Sequence, residues 1–305
     1  MEVILLYNKK RYIFFVIPYL HLLYPYFSTA KVELLIPKWD NVNLDIYPKA
    51  FDSNIPLIPI YTTRGCPFTC RYCSVTSLFG NKFRTKPVAN VLKEIDSMES
   101  KAFFFVDDNI VGKPDYAREL FKSLIKHDKK IKWHSQASTT ILKNPELIEL
   151  AAKSGCFDLF IGIETLNPDS LKGANKAFNK VEEYSELFKL LRKHKILPHP
   201  SIIFGFDDDT PETFVKIADF LLENKIYYAD FYILTPLPGT PLFKEFDESK
   251  KLLHKDWSKY DANHVVIRPI NLSIKELHDN YWKINRMFRH TNENIFDSEN
   301  DIPLD

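Results

Sequence analysis

From Leu57 onward, short apolar runs alternate with longer stretches in which apolar residues return every three or four positions. Runs of the first kind read as strands and those of the second as helices, so their alternation predicts parallel strands joined by crossover helices. Six such units are legible, with strands expected at 57–62, 102–107, 131–137, 157–163, 201–206 and 229–234. "FFFV" and "LFIGI" are nearly continuous in apolar residues, the composition of strands covered on both faces. Helix ends are also marked. Pro87 opens "PVANVLKEIDSM", where a missing N–H costs nothing. In "NPELIELAAKSG", Asn144 is the expected N-cap with Pro145 behind it, and Gly155 suits a left-handed C-cap. Thr210 and Pro211 repeat the opening signal, "KVEEYSELFKLLRKHK" ends in cations that suit the helix dipole, and Ser273 with Glu276 reads as a capping box.

Six units are too few for a closed eight-unit barrel. The predicted fold is therefore α/β, an open six-unit (β/α) partial TIM barrel with a C-terminal helical extension. Its expected organisation is a leader at 1–55, the barrel core at 56–240, the helical extension at 241–290 and a mobile tail at 291–305, polar and acidic in composition. Functional groups in such sheets gather at the C-terminal ends of the strands.

Composition narrows the classes. A chain of 305 residues, 45% hydrophobic and 27% charged, builds a real core and excludes wholesale disorder. A net charge of +1 provides no long-range field for nucleic acid or acidic lipid, so partners must be chosen by a local site. Residues 13–27, "IFFVIPYLHLLYPYF", follow three cations, but they carry two prolines and a histidine and fall short of the roughly 20 apolar residues a bilayer span needs. They are read as a packed or irregular leader. Three of the four cysteines cluster and none suggests a disulfide framework, so the thiols are expected to be reduced and the protein cytoplasmic.

That cluster, "RGCPFTCRYCS", is where chemistry is expected. Cys66, Cys70 and Cys73 can converge on one metal centre if the loop folds around it, and Gly65 and Pro67 supply freedom and bend. Structural zinc wants four ligands, and the next candidates, His127 and Cys156, are distant in sequence. An iron–sulfur cluster held by three cysteines would keep one iron open to a substrate or cofactor. Zinc with a remote fourth ligand and three unmetallated thiols remain as alternatives.

"CPFTCRYC" resembles the cluster-binding loop of the radical S-adenosylmethionine superfamily, and the six strand–helix units resemble its partial barrel, over residues 38–290. The resemblance implies a four-iron, four-sulfur cluster on Cys66, Cys70 and Cys73, with S-adenosylmethionine chelating the open iron. Reductive cleavage then yields methionine and a 5′-deoxyadenosyl radical. An electron donor such as flavodoxin or ferredoxin is implied as partner. Matched residue by residue, it places Tyr72 near the adenine and Asp107 and Asp108 where many members have Gly-Gly-Glu against the cofactor's amino group. Gln136 and Ser138 fall at the third-strand rim, Glu164 against the ribose, and Gly205 where the backbone approaches the adenine. Three of them also have plainer readings: loop packing for Tyr72, and a structural role for Gln136 and Ser138. No catalytic acid or base is selected, though His134, His199 and His264 are available. Cys156 reads as a core residue and "DDD" at 207–209 as helix capping.

"IPIYTTRGCPFTCRYCSV", "FFFVDDNI", "IGIET", "LTPLPGTPLF" and "DWSKYDANHVVIRP" are most similar to the subgroup whose barrel follows a cobalamin-binding domain, including hopanoid methylases. This chain lacks the Asp-x-His-x-x-Gly motif of that domain, and the first 30 residues are too short to supply it. Cobalamin is thus left open: dispensed with, lost in a shortened relative, or brought by a separate cobalamin-binding protein. The expectation is a radical enzyme modifying a small-molecule or lipid substrate, with methylation suggested by kinship. A methylthiotransferase acting on RNA would want a basic RNA-binding domain and further cluster cysteines, neither of which is visible, and a non-catalytic iron–sulfur or zinc protein is the third reading.

Overall fold

The structure is a computed structural model that describes residues 2–7, 10–15, 36–40, 42–50, 54–80 and 82–295, and the side chains of those between 36 and 288. Strands β1 (Glu2–Tyr7) and β2 (Lys10–Phe15) pair as an antiparallel hairpin. The leader expected at 13–27 is described only as far as Phe15; its remainder lies outside the described residues.

The main sheet is built from β3 (Leu57–Ile60), β6 (Ala102–Phe105), β7 (Lys132–Ala137), β8 (Cys156–Glu164), β9 (Leu197–Phe204) and β10 (Asp230–Ile233), in the order β10-β9-β8-β7-β6-β3. Its six parallel strands form a curled half-barrel, as the alternation predicts. Between them run α2 (Val88–Asp96), α3 (Pro114–Lys126), α4 (Glu146–Lys153), α5 (Pro168–Gly173), α6 (Tyr184–Lys193) and α7 (Pro211–Glu223), and α8 (Pro241–Glu248) and α9 (Ile274–Ile295) follow the last strand. A small antiparallel ribbon of β4 (Thr63–Arg64) and β5 (Arg84–Thr85) closes the neck of the segment that carries the three cysteines and α1 (Ser74–Phe79).

Several expected boundaries move, for identifiable reasons. β3 and β6 stop short of 62 and 107 because the amides of Thr62 and Thr63 leave the ladder to meet the Asp107 carboxylate. β9 begins at Leu197 despite Pro198 and Pro200; β10 joins it only at Ser201, so the proline segment has a flank where no ladder bond is lost. Asn144 does not cap α4 with its side chain. It ends a 3₁₀ turn at Thr139–Lys143, and Pro145 holds the cap position. The aspartates 207–209 are not the cap of α7, which is the capping box of Thr210 and Thr213. Helix α9, capped by Ser273 and Glu276 as expected, continues to Ile295, past the start assigned to the tail.

By internal packing the chain divides into two compact units, one of Met1–Phe68, Val75–Leu159 and His194–Ile196, the other of Thr69–Ser74, Phe160–Lys193 and Leu197–Asp305. In the first, the fully buried Trp133 stacks against Phe105 and Phe121 with centroids 5.1 and 5.2 Å away, and its indole N–H donates to the Ser154 carbonyl at 3.1 Å. Gly155 has φ +100°, and a Cβ there would lie 1.9 Å from the Ile131 carbonyl oxygen, so only glycine can turn the chain out of α4 into β8. In the second, Phe204 stacks on Phe214 of α7 at 4.1 Å and Phe231 meets Phe288 of α9 at 5.3 Å, so these rows face the helices. Among the described residues no helix is long and apolar enough to cross a membrane.

Replacing Trp133 with Ala removes a stacked, hydrogen-bonded ring from a fully buried site. It should cost about 3–5 kcal/mol, read as a lower denaturant midpoint with an unchanged slope.

Candidate functional site

The first unit holds the entry to the cysteine loop. Asp107, at the end of β6, is completely buried and accepts from the Thr62 and Thr63 amides at 2.7 and 2.9 Å and from the Thr62 hydroxyl. Tyr116 of α3 backs this corner by donating to the carbonyls of Thr62 and Lys86. Asp108 accepts from the Gly65 amide at 2.8 Å. Gly65 has φ +91°, and a Cβ there would sit 2.3 Å from the Lys82 carbonyl oxygen, so the residue before Cys66 has to be glycine. Asn109, 2% exposed, donates to the Ser138 hydroxyl at 3.2 Å, accepts from the Ser138 amide, and brings its amide nitrogen 4.0 Å from the Cys66 sulfur. An amide N–H aimed at a ligating sulfur stabilises its thiolate and tunes whatever it binds.

The second unit holds Cys70, Tyr72 and Cys73. The stretch 69–74 is pinned from two sides. Asn175 donates to the Thr69 carbonyl and hydroxyl, the Arg71 amide donates to Ala174, the Arg71 carbonyl accepts from Leu242, and the Arg71 guanidinium pairs with Glu245. Behind it, Lys176 pairs with Glu164 in a buried ion pair and reaches the Tyr72 hydroxyl at 3.4 Å. Glu164 ends β8 with φ +66°, a conformation that costs a non-glycine residue energy and is held here by the surrounding bonds. Gly162 makes the space: a Cβ there would lie 2.4 Å from a Glu164 carboxylate oxygen and 2.8 Å from the Lys176 nitrogen.

Burial, then the charges of Glu164, Cys70 and Cys73, push the Tyr72 phenol well above its ordinary value, so it stays neutral. Burial also opposes the charge on Lys176, but Glu164 and the thiolates of Cys70 and Cys73 outweigh it and raise its pKa. A lysine kept cationic beside two thiols favours their thiolate forms, which are the metal-binding forms.

Each expected residue can now be placed. Asp107 and Asp108 spend their carboxylates on the backbone at the loop's entry. Ser138 joins Asn109. Gln136 has an exposed side chain at the end of β7. Gly205, φ +106°, turns the chain after β9; a Cβ there would face Leu277, Ile267 and Leu234, and its amide donates to Asp209. Cys156 opens β8, at the end of the sheet opposite the loop that follows β3, and is buried, with its thiol pushed up by burial. Sequence reasoning assigned no role to Asn109, Gly162 or Lys176. Asn109 adjoins the quoted "DD" and Gly162 lies within "IGIET", but a lysine in a loop carries no local signal of burial.

All four cysteines are thiols rather than disulfides. Among the described residues no three His, Cys, Asp or Glu side chains converge as ligands of a single metal ion.

Residues 60–221 match the family described as the radical SAM superfamily, and the chain belongs to it. That class of protein uses a four-iron, four-sulfur cluster and S-adenosylmethionine, needs a reductant and acts on a substrate. Among relatives, the chain is 39% identical to the bacteriochlorophyllide d C-12(1)-methyltransferase of Chlorobaculum tepidum, over 75% of this chain and 51% of that protein. It is 29% identical to the hopanoid C-2 methylase of Rhodopseudomonas palustris, over 75% of this chain and 46% of that one. Among solved structures, the methyltransferase TsrM of Kitasatospora setae, with cobalamin and a [4Fe-4S] cluster bound, shares the fold at a TM-score of 0.60 and 18% identity. The match covers 82% of this chain and 47% of that one. The chain spans about half the length of the curated relatives it matches.

Burial raises the Asp107 carboxyl from 3.8 to about 6, against the hydrogen bonds from Thr62 and Thr63 that pull it down. The folded chain therefore holds this proton more tightly than the unfolded chain. The stability it contributes is complete below pH 3.8 and is lost as pH rises through about 6. Unfolding curves for wild type and Asp107→Asn should differ by a term that changes across this window and is flat above it. Lys176→Met should cost about 3–5 kcal/mol by stranding the buried Glu164 carboxylate, and Lys176→Met with Glu164→Gln should recover much of that loss in a denaturant titration.

Proposed function

We propose that the protein is a radical S-adenosylmethionine enzyme that cleaves its cosubstrate reductively and uses the 5′-deoxyadenosyl radical to modify, by methylation, a small-molecule or lipid substrate. The observation that carries this reading is the three-cysteine loop, held at its entry by Asp107, Asp108 and Asn109 and faced, at Cys70 and Cys73, by the buried Lys176–Glu164 pair. Methylation is supported by the names of the relatives, which include a bacteriochlorophyllide methyltransferase and a hopanoid methylase.

Cys66, Cys70 and Cys73 would hold the cluster, which when bound supplies the electron for the cleavage. This chain's residues do the rest. Asn109 donates toward the Cys66 sulfur and steadies it. Lys176 offsets the negative charge that accumulates on the thiolates. Tyr72 presents a neutral aromatic face beside the cysteines. Glu164, with two oxygens, is suited to accept from a pair of hydroxyls, and Gln136 and Ser138 offer polar groups at the ends of their strands. Asp107 and Asp108 act on the loop backbone, and Gly205 supplies a turn.

Around this core, the reading includes a one-electron donor of the flavodoxin or ferredoxin kind, reduced thiols in the cytoplasm, and cobalamin, if used, from a separate binding protein or from a longer chain of which this is a part. The barrel core is taken as 56–240, with the helical extension after it. A net charge of +1 gives no support to RNA as substrate.

The test is anaerobic reconstitution with iron and sulfide, reduction, and measurement of 5′-deoxyadenosine. Wild type should bind cluster and form the nucleoside. Cys70→Ala should lose cluster and product together, and Cys156→Ala should retain the cluster. Zinc in place of iron, or a fully loaded chain that forms no 5′-deoxyadenosine, contradicts the reading.

A further inference from the structure

One stretch carries a charge that the rest of the chain does not. The whole sequence balances 41 lysines and arginines against 40 aspartates and glutamates, yet residues 53–93 hold six cations and no carboxylate. Two of the six are paired from elsewhere, Arg71 with Glu245 and the buried Lys86 with Glu94. Three others, Arg64, Lys82 and Arg84, lie in the first unit, on or next to the β4–β5 ribbon that closes the cysteine loop.

The ribbon pairs Arg64 directly opposite Arg84. Side chains so placed share one face, and like charges there are destabilising. Both arginines engage Phe79, the last residue of α1. The Arg64 guanidinium lies over its ring at 5.7 Å and over Tyr61 at 4.7 Å, and Arg84 donates to its carbonyl at 3.3 Å. Such contacts order a guanidinium without neutralising it. Asp108 is raised by burial and pulled back by the Gly65 amide and the Arg64 charge. One carboxylate already held by an amide does not balance three cations. Lys82 is exposed, and its carbonyl is the oxygen against which Gly65 closes. Leu78, beside Phe79 in sequence, is 48% exposed. Cys66, Cys70 and Cys73 are themselves half-buried, and Pro67 and Thr69 between them are exposed.

We propose that the β4–β5 ribbon, with the exposed end of α1, is the docking surface for a small acidic electron-carrier protein that passes its electron in through the cysteine loop. The proposal rests on the radical-enzyme reading above and names where its reductant binds. Electron transfer weakens steeply with distance, so a donor has to dock where the cluster's ligands come near the surface. Arginine and aromatic residues are enriched in protein interfaces, and grouped cations speed the encounter with an acidic partner. A partner's carboxylates would also relieve the opposition of Arg64 and Arg84, which the fold tolerates without a carboxylate from its own stretch of chain. A phosphate-sized anion is the weaker fit, because Lys82 and Leu78 stand exposed rather than around an enclosed cradle. In the transfer one electron leaves the reduced carrier and enters the cluster, and no bond forms or breaks.

The test measures 5′-deoxyadenosine formed by the full chain, cluster reconstituted, with reduced flavodoxin or reduced ferredoxin as donor and, separately, with dithionite. Lys82→Glu with Arg84→Glu should lower kcat/KM for the protein donor about tenfold or more, leave the dithionite-driven rate unchanged, and keep the melting transition. Lys82→Glu alone, at an exposed position, should give a smaller loss of the same kind, and Arg84→Lys should retain most of the wild-type rate. Added sodium chloride should slow the donor-driven reaction of wild type more than that of the double variant. An equal loss with dithionite would assign the cations to the cluster itself and overturn the proposal. So would an unchanged donor dependence in the double variant and in Lys82→Glu, or a wild type that takes electrons from dithionite but from neither protein. Inhibition by pyrophosphate beyond that of sodium chloride at equal ionic strength would show a small-anion site instead. No 5′-deoxyadenosine from wild type even with dithionite removes the parent reading; its formation with dithionite and indifference to these charges removes only this one.

Discussion

A single buried carboxylate determines where the cysteine loop begins. Asp107 lies at the end of β6 with no solvent exposure, and takes the amides of Thr62 and Thr63 just as the chain leaves β3. Those amides would otherwise extend the sheet; turned onto Asp107, they end it and launch the loop that carries Cys66. The neighbouring Asp108 then fixes Gly65, and Asn109 reaches the Cys66 sulfur. Three consecutive side chains at one strand end thus set the backbone, the turn and the environment of the first cysteine. Hydrogen bonds to charged groups are among the stronger ones available to a protein, and burial makes their loss more costly.

The second unit arranges its charges differently. Cys70 and Cys73 sit on a stretch tied to residues 173–176 and 242–245, beside a buried lysine whose charge is kept by Glu164 and by the thiolates themselves. Such a group of charges is stable only while each member is matched, since an isolated buried ion is expensive. Gly162 and the left-handed backbone of Glu164 are local concessions that let Lys176 in. The same strand that provides these polar groups at its end provides core residues along its outer face, so fold and site share one element.

Much of this was legible in the chain. The six strands announce themselves by apolar runs, because doubly covered strands need them, and the end signals at Gly155, Pro211 and Ser273 have direct counterparts in the helix ends. The cysteine loop was legible because its spacing is local. What escaped was long-range. Asn144 looked like a cap until a 3₁₀ turn took its backbone, and the aspartates 207–209 looked like capping residues. In fact Asp209 holds the Gly205 and Phe206 amides, Asp207 pairs with Lys251 and Asp208 accepts from Ser170. Lys176 gave no signal, because its burial is created by Gly162 and Glu164 from another element. Asp107 and Asp108, expected beside a cofactor, accept from the backbone amides of Thr62, Thr63 and Gly65, contacts that the local sequence does not announce.

The central claim is that Cys66, Cys70 and Cys73 leave one iron of the cluster without a protein ligand. Mössbauer spectroscopy of the anaerobic chain reconstituted with ⁵⁷Fe, recorded with and without S-adenosylmethionine, tests it directly. The account predicts that adding the cosubstrate shifts the signal of a single iron and leaves the others unchanged. A spectrum in which every iron is indifferent to S-adenosylmethionine would contradict it.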